Sequence, residues 1–550
     1  HHIIMRTAAL TLLAATAHAL PELLISKRDA HLQTSHVARG MVKRASGDGN
    51  VETSVFDILT YSTGGAYYAN VTVGTPPQPQ VVILDTGSSD LYFDASSAAA
   101  CIDETGPYSC RGGEFDSTKS TTYTVVDPYP AFNTSFGDGS TASGPFAEDM
   151  IGIGDVTIDN VQFGVAEEVN STTGYAIGLM GLGYSENEAT YHLYPNMPEV
   201  LRDTGVINSR LYSVYLNSLG ETSGSILFGG VDTSRYTGEL ATLNLLTDRY
   251  TGGIDQFIST VTALSATISG TVTPFFAGGS ADDAAYGQYD AALPVLLDTG
   301  SSAWSMPSSY YDKYLAPAFP WVDSNGLCSC DHQNDDTTLT VEFGAKVNIT
   351  VPVREFVVPI YNATTNQAYP YSGGGVACAF MIVSAPSTGQ GFQTLGDAIL
   401  RSMYVVFDLD NGQVSIAQAA VNSTASPAIV TVAAGTSGVA SAISSTSYDG
   451  AARQTGSIAP VVKNGTASFV VSTAQSTIGD ATGTAAVPAD AQVSATGSGG
   501  SRTGSGGSST GTSSSAAGAL GMGMGNLDLG QMWVLLVVAA GMVGGGMLVL

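Results

Sequence analysis

Between residues 51 and 420 the chain alternates short apolar runs with clusters of Gly, Pro, Asn, Asp and Ser. Runs rich in Val, Ile, Tyr, Phe and Thr that are bounded by turn formers read as strands. The pattern predicts strands over 67–73, 80–84, 150–153, 211–216, 225–228, 341–351 and 403–409. A helical period is visible in only two short stretches, 199–203 and 308–315. The expectation is therefore an all-β protein.

The two ends break this rhythm. Met5-Arg6, the small and apolar run 7–16 and Ala17-His18-Ala19 have the charge, apolar stretch and cleavage pattern of a secretory signal peptide. Residues 1–19 are read as that signal, with 1–4 as an upstream extension. Two dibasic pairs follow, Lys27-Arg28 and Lys43-Arg44, and 20–44 reads as a propeptide removed at the second. Residues 45–240 and 241–420 are expected to form two lobes. Beyond 420 the composition shifts to Ser, Thr, Ala and Gly, which cannot bury enough apolar surface to offset the entropy of ordering. A disordered, glycosylated stalk is expected over 421–518.

Residues 532–550 are apolar or glycine, and the whole stretch 519–550 reads as a GPI-attachment tail rather than a transmembrane helix. Sequons at Asn70, Asn133, Asn170, Asn348, Asn362, Asn422 and Asn464 fit secretion.

Charge narrows the function classes. With 19 basic and 47 acidic residues the formal net charge is −28, so there is no basic patch for phosphate backbones and no nucleic-acid partner is expected. An acidic medium suits such a chain, because protonation relieves its self-repulsion. In a secreted chain the five cysteines read as disulfides with one left over. Cys101 with Cys110 would close a short loop. Cys378 can pair with Cys328 or Cys330, and Cys328 is the partner carried forward.

The Cys-Ser-Cys spacing is too tight for a common zinc pattern, and no metal or cofactor is expected. After the processed segments only His192 and His332 remain, in no catalytic arrangement, and no HExxH, Walker or dinucleotide motif occurs.

One constellation is left. Ile83-Leu84-Asp85-Thr86-Gly87-Ser88-Ser89 recurs as Leu296-Leu297-Asp298-Thr299-Gly300-Ser301-Ser302, each copy behind an apolar run. Buried strands would carry Asp85 and Asp298 into a shared cleft, with Gly87 and Gly300 allowing the tight turns. Thr86 and Thr299 supply hydroxyls that can lock the turns together, and Ser88 and Ser301 can donate to the outer carboxylate oxygens. Two carboxylates about 3 Å apart share one proton, so one member can take a proton from water while the other donates to a carbonyl.

These residues resemble the pepsin-like aspartic peptidase family, over about residues 51–420. Residues 67–78, ending in Gly74-Thr75-Pro76-Pro77-Gln78, resemble its first strand pair and turn. Ile177-Gly178-Leu179-Met180-Gly181-Leu182-Gly183 and Thr394-Leu395-Gly396-Asp397 resemble its hydrophobic-hydrophobic-Gly segments, and Tyr404-Val405-Val406-Phe407-Asp408 its penultimate strand.

The resemblance implies a bilobal acid-protease fold, two similar β-barrel-like lobes with the active-site cleft between them, a monomer acting on peptide or protein substrates. It also implies a flap, here Ser135-Phe136-Gly137-Asp138-Gly139-Ser140, with Phe136 where tyrosine is usual and Tyr92 where tryptophan is usual. An acid at Asp138 is associated in similar fungal enzymes with accepting Lys or Arg before the scissile bond, and it is equally a turn aspartate.

Signal, propeptide, bilobal peptidase, stalk and lipid-anchor tail together resemble the yapsin-type fungal branch. The expected function is a surface-tethered aspartic endopeptidase at the plasma membrane or cell wall. The alternative is a catalytically weak homologue serving as a wall-binding glycoprotein.

Overall fold

The computed structural model describes residues 49–458, apart from 59–65, 103–108, 127–130, 172–174, 191–192, 220, 222–223, 249–250, 278–291, 362–366, 386–391, 436–437, 444–445 and 449–456. The expected signal peptide, the whole expected propeptide, the lipid-anchor tail, His192, Asn362 and Asn464 lie outside the described residues. Among the described residues no helix is long and apolar enough to cross a membrane.

Strands dominate, as the alternating pattern predicts, and they form a bilobal all-β fold. The first half builds on Ala66–Val73, Gln78–Asp85, Leu91–Asp94 and Gly178–Gly181 within a large sheet. The second builds on Ile258–Ile268, Leu293–Leu297, Trp304–Pro307 and Gln393–Leu395 in a separate sheet.

The same local plan appears in each. Gly178–Gly181 runs parallel to Gln78–Asp85, with Gly181 opposite Asp85, and Gln393–Leu395 runs parallel to Leu293–Leu297, with Leu395 opposite Leu297. Strands buried on both faces read as continuous apolar runs, which is why the segments leading to the two acidic turns show little alternation. Val82 and Leu84 on one side, and Val295, Leu296 and Leu297 on the other, are all within the core.

The chain does not divide cleanly between the two sheets. Met403–Asp408 and Gln413–Ala419, late in the sequence, return to the first sheet, where Met403–Asp408 pairs with Leu211–Tyr215. The stretch 341–351 is two strands of a hairpin, Thr337–Phe343 and Val347–Pro352. Gly344 and Ala345 both take left-handed backbone in the three-residue loop at its tip, where the Lys346 amide donates to the Phe343 carbonyl at 2.9 Å. The helix foreseen at 199–203 begins earlier, as Met197–Asp203, under a reciprocal cap between Asn196 and Glu199. At 308–315 one helical turn, Ser308–Tyr310, widens into Tyr311–Leu315.

Ordered strands continue past residue 420, into the stretch expected to be stalk. Ile429–Thr431 pairs with Gly230–Asp232, and Val432 and Val439 are buried against Leu211, Tyr215 and Tyr404. Thr446–Tyr448 lies parallel to Ala241–Leu243 and covers the edge of the first sheet. A short β-branched run, Ile429-Val430-Thr431-Val432, is enough to dock this strap, although Ser, Ala and Thr around it dilute the signal. Of the described sequons, Asn133, Asn170, Asn348 and Asn422 are exposed and Asn70 is half-buried.

Two disulfides are present, Cys101–Cys110 and Cys330–Cys378. The expected Cys328–Cys378 bridge is thereby corrected. Cys328 faces Cys378 in the strand register, but its thiol is buried in the core and donates to the Cys378 carbonyl at 3.7 Å. Cys330 lies just past that strand, where the chain turns into a short helix, and its Cα comes within 5.0 Å of that of Cys378.

Candidate active site

The two acidic turns meet at the junction of the sheets, and their threonines interlock. The Thr86 hydroxyl donates to the Leu297 carbonyl at 2.7 Å and accepts from the Thr299 amide at 3.0 Å. The Thr299 hydroxyl donates to the Leu84 carbonyl at 2.8 Å and accepts from the Thr86 amide at 3.1 Å. Each turn therefore holds the strand end that delivers the opposite aspartate.

Asp85 and Asp298 are both buried, 6% and 4% exposed. They sit so close that a Cβ on Gly87 would lie 2.7 Å from the Asp298 carboxyl, and one on Gly300 would overlap that of Asp85. Neither glycine takes left-handed backbone, so glycine is needed at both positions for this approach rather than for the turn.

Donors are distributed unequally. The Gly87 amide donates to Asp85 Oδ1 at 2.7 Å and the Ser88 hydroxyl to Oδ2. The Gly300 amide donates to Asp298 Oδ1 at 2.8 Å. Ser301 departs from the expected symmetry, because its hydroxyl is directed to the Ala303 carbonyl at 3.3 Å. Burial, then the Asp85 charge and a hydrogen bond between the two carboxyls, hold Asp298 well above the ordinary carboxylate range. Gly87 and Ser88 thus supply Asp85 with two donors, and the raised Asp298 keeps one proton within the pair.

A short three-stranded sheet carries the flap. Phe132–Ser135 and Thr141–Gly144 form its hairpin, with Glu168–Asn170 beside it. At the tip the Phe136 amide donates to the Ser140 carbonyl at 2.8 Å, the Gly139 amide donates to the Phe136 carbonyl at 2.9 Å, and Gly137 lies within this turn. Asp138 accepts from the Ser140 amide and hydroxyl, both at 2.8 Å, so its carboxylate serves the turn. Phe136 packs over Tyr92, ring centroids 6.3 Å apart. Burial first, then the charges of Asp94, Asp138 and Asp85, push the Tyr92 phenol well above its usual value.

The loop that follows the Ile177–Gly183 segment braces the Asp85 turn. The Leu182 amide donates to the Asp85 carbonyl, the Asn187 side chain to the Gly87 carbonyl at 3.1 Å, and the Ser89 hydroxyl to the Tyr184 carbonyl at 2.6 Å. Asp90, fully buried, accepts from the Ala189 amide and the Tyr194 hydroxyl. The reciprocal Asn196–Glu199 cap was the one available signal for where this loop ends.

Among the described residues, Asp94, Cys101 and Cys110 cluster with metal-like spacing. Their sulfurs are bonded to each other, so they offer no thiolate ligands in this state.

Comparison with known proteins agrees with this geometry. The family model "Asp: Eukaryotic aspartyl protease" matches residues 66–419. The chain is 35% identical over 367 residues to "Probable aspartic-type endopeptidase opsB" of Aspergillus fumigatus, covering 65% of this chain and 69% of that protein. It is 31% identical over 369 residues to "Aspartic proteinase yapsin-3" of Saccharomyces cerevisiae, covering 64% and 66%. It is 32% identical over 387 residues to "Secreted aspartic protease 8" of Candida albicans, covering 70% and 82%.

Proposed function

Because the chain belongs to the eukaryotic aspartyl protease family and is an aspartic endopeptidase, we propose that it works outside the cell, tethered to the surface through its C-terminal segment, and accepts Lys or Arg before the scissile bond. The observation that carries the catalytic part is the buried Asp85–Asp298 pair, so close that the glycine of each turn abuts the carboxyl of the other. A water between the carboxyls loses a proton to Asp85 as its oxygen attacks the peptide carbonyl carbon, while Asp298 donates its proton to the carbonyl oxygen. The resulting diol collapses when a proton reaches the leaving nitrogen, and the C–N bond breaks. The flap, with Phe136 packed on Tyr92, covers the substrate and keeps the reaction away from bulk water.

The location is supported by the secretory pattern at Met5 to Ala19, the exposed sequons, the apolar tail and the names of similar proteins, a yapsin and a secreted protease. The basic preference is supported by Asp138, whose carboxylate is fixed on the flap by Ser140. Profiling a peptide library between about pH 3 and 7 tests both chemistry and preference. Asp85→Asn should lower cleavage by about 10³-fold or more. Asp138→Ala should remove the preference for Lys and Arg, about tenfold, with cleavage at other sites retained. Undiminished cleavage by the first variant would overturn the mechanism, and an unchanged preference in the second would overturn the specificity.

A further inference from the structure

We propose that the Cys101–Cys110 disulfide is a reducible switch, and that the buried carboxyl of Asp94 is the proton donor for its opening. Asp94 ends the strand that also carries Tyr92, and it is 1% exposed. Among the described residues, neither of its two buried carboxyl oxygens has a hydrogen-bond partner. One of them lies within 4.8 Å of the sulfurs of both cysteines. A disulfide acting only as a staple gains nothing from such a neighbour, since an orphaned polar group in the interior is costly and an apolar side chain would pack there without penalty. A carboxyl at this place can deliver a proton to a departing sulfur.

Burial, reinforced by Glu114, pushes the Asp94 carboxyl up to about 7, so it carries a proton in mildly acidic medium. The other groups facing this corner are the Tyr92 phenol and Arg111, whose guanidinium donates to the Cys110 carbonyl at 3.1 Å and sits over the Tyr175 ring. Asp103 and Glu104 of the intervening loop lie outside the described residues.

The step balances with a low-molecular-weight thiol as reductant. Its thiolate attacks the sulfur of Cys110, the more exposed of the pair at 7% against 3%. The S–S bond breaks, a mixed disulfide forms at Cys110, and the electron pair leaves on Cys101 sulfur, which takes the Asp94 proton. A second thiolate attacks the external sulfur of the mixed disulfide. Cys110 leaves as thiolate and is protonated from solvent, and the reductant departs as its own disulfide.

Opening this bond would be felt near the active site. Cys110 bridges to Ala176, just before the Gly178–Gly181 strand that lies beside Asp85, and Cys101 shares a cluster with Val169 next to the flap hairpin.

The test is the rate of reduction of each disulfide in the folded protein by dithiothreitol, followed by alkylation and mass mapping between pH 5.5 and 8.5. Comparing wild type with Asp94→Asn at each pH cancels the ionisation of the reductant itself, and Cys330–Cys378 serves as reference within the same chain. For Cys101–Cys110 the ratio of wild-type to variant rate should be about tenfold at the acid end and fall to one or below at the alkaline end. For Cys330–Cys378 it should stay at one. Glu114→Gln leaves Asp94 in place and should move the midpoint of the wild-type profile to lower pH. Asp94→Ser, confirmed folded by its thermal melt, replaces the asparagine variant if that one fails to fold. Equal rates and identical pH profiles for wild type and a folded Asp94 variant would overturn the proposal.

Discussion

Thr86 and Thr299 each donate to the carbonyl that precedes the other turn's aspartate, at 2.7 and 2.8 Å, and each accepts the other's amide. The contact joins the two halves of the fold at the point where the carboxyls must register. Thr86→Val keeps the shape but leaves the Leu297 carbonyl and the Thr299 amide unpaired in a buried place. The cost should be about 2–4 kcal/mol of stability. Because the carboxyls then lose register, kcat should fall further than KM rises, which steady-state kinetics on one peptide substrate can read. Thr299→Val should do the same through the Leu84 carbonyl and the Thr86 amide.

Stability should fall as pH rises from about 4 to 8, the opposite of a protein held by salt-bridged carboxylates. Burial raises Asp94 from 3.8 to about 7 and Asp408 from 3.8 to about 6. A folded-state value above the unfolded one means the folded chain holds the proton more tightly. That stabilisation is fully present below the unfolded value and is lost as pH climbs through 6 and 7. For Asp94 the difference amounts to about 4 kcal/mol between the two limits. Thermal melts across this range should show a steep decline for wild type and a flatter one for Asp94→Asn. A melting temperature that rises with pH would contradict the assignment.

The central chemistry was legible because it is written locally. Asp-Thr-Gly behind an apolar run is one strand and one turn, and its repetition marks two halves that contribute alike. Contacts between distant segments were not legible. The two serines occupy matching places in the sequence, yet Ser88 reaches Asp85 while Ser301 reaches Ala303. The partner of Cys378 depended on where the chain leaves a strand, which composition does not encode. Asp90 is held by Tyr194, 104 residues further along the chain, a contact that no local pattern marks.

The fifth cysteine should be inert in the folded state. Burial pushes the Cys328 thiol up to about 12, so almost no thiolate forms at neutral pH. Ellman's reagent should find no thiol in the native protein and one after unfolding in denaturant without reductant. Replacing Cys330 by Ala breaks the bridge to Cys378 and should cost about 3–4 kcal/mol, given the 48-residue separation. Unfolding that variant should release a second thiol, at Cys378.

The C-terminal strap makes the last test, because it lies past residue 419, where the family match ends, and yet packs as core. Val432 is fully buried and Val439 is 2% exposed, and the backbone of Ile429–Thr431 completes a ladder with Gly230–Asp232. Asn50, near the first described residue, donates to the Thr431 hydroxyl at 2.7 Å, so the strap also fastens the start of the folded region. Burying a valine contributes about 2 kcal/mol, and both are lost together with the ladder when the chain is cut after Pro427. Such a truncation should unfold at lower denaturant, with stability reduced by about 4 kcal/mol or more, and Val432→Ala alone should cost about 2 kcal/mol. None of the residues named around Asp85 and Asp298 is touched by either change. Activity per folded molecule should therefore stay near wild type while the melting temperature drops, a combination that separates a structural strap from a loose stalk, for which truncation would change neither.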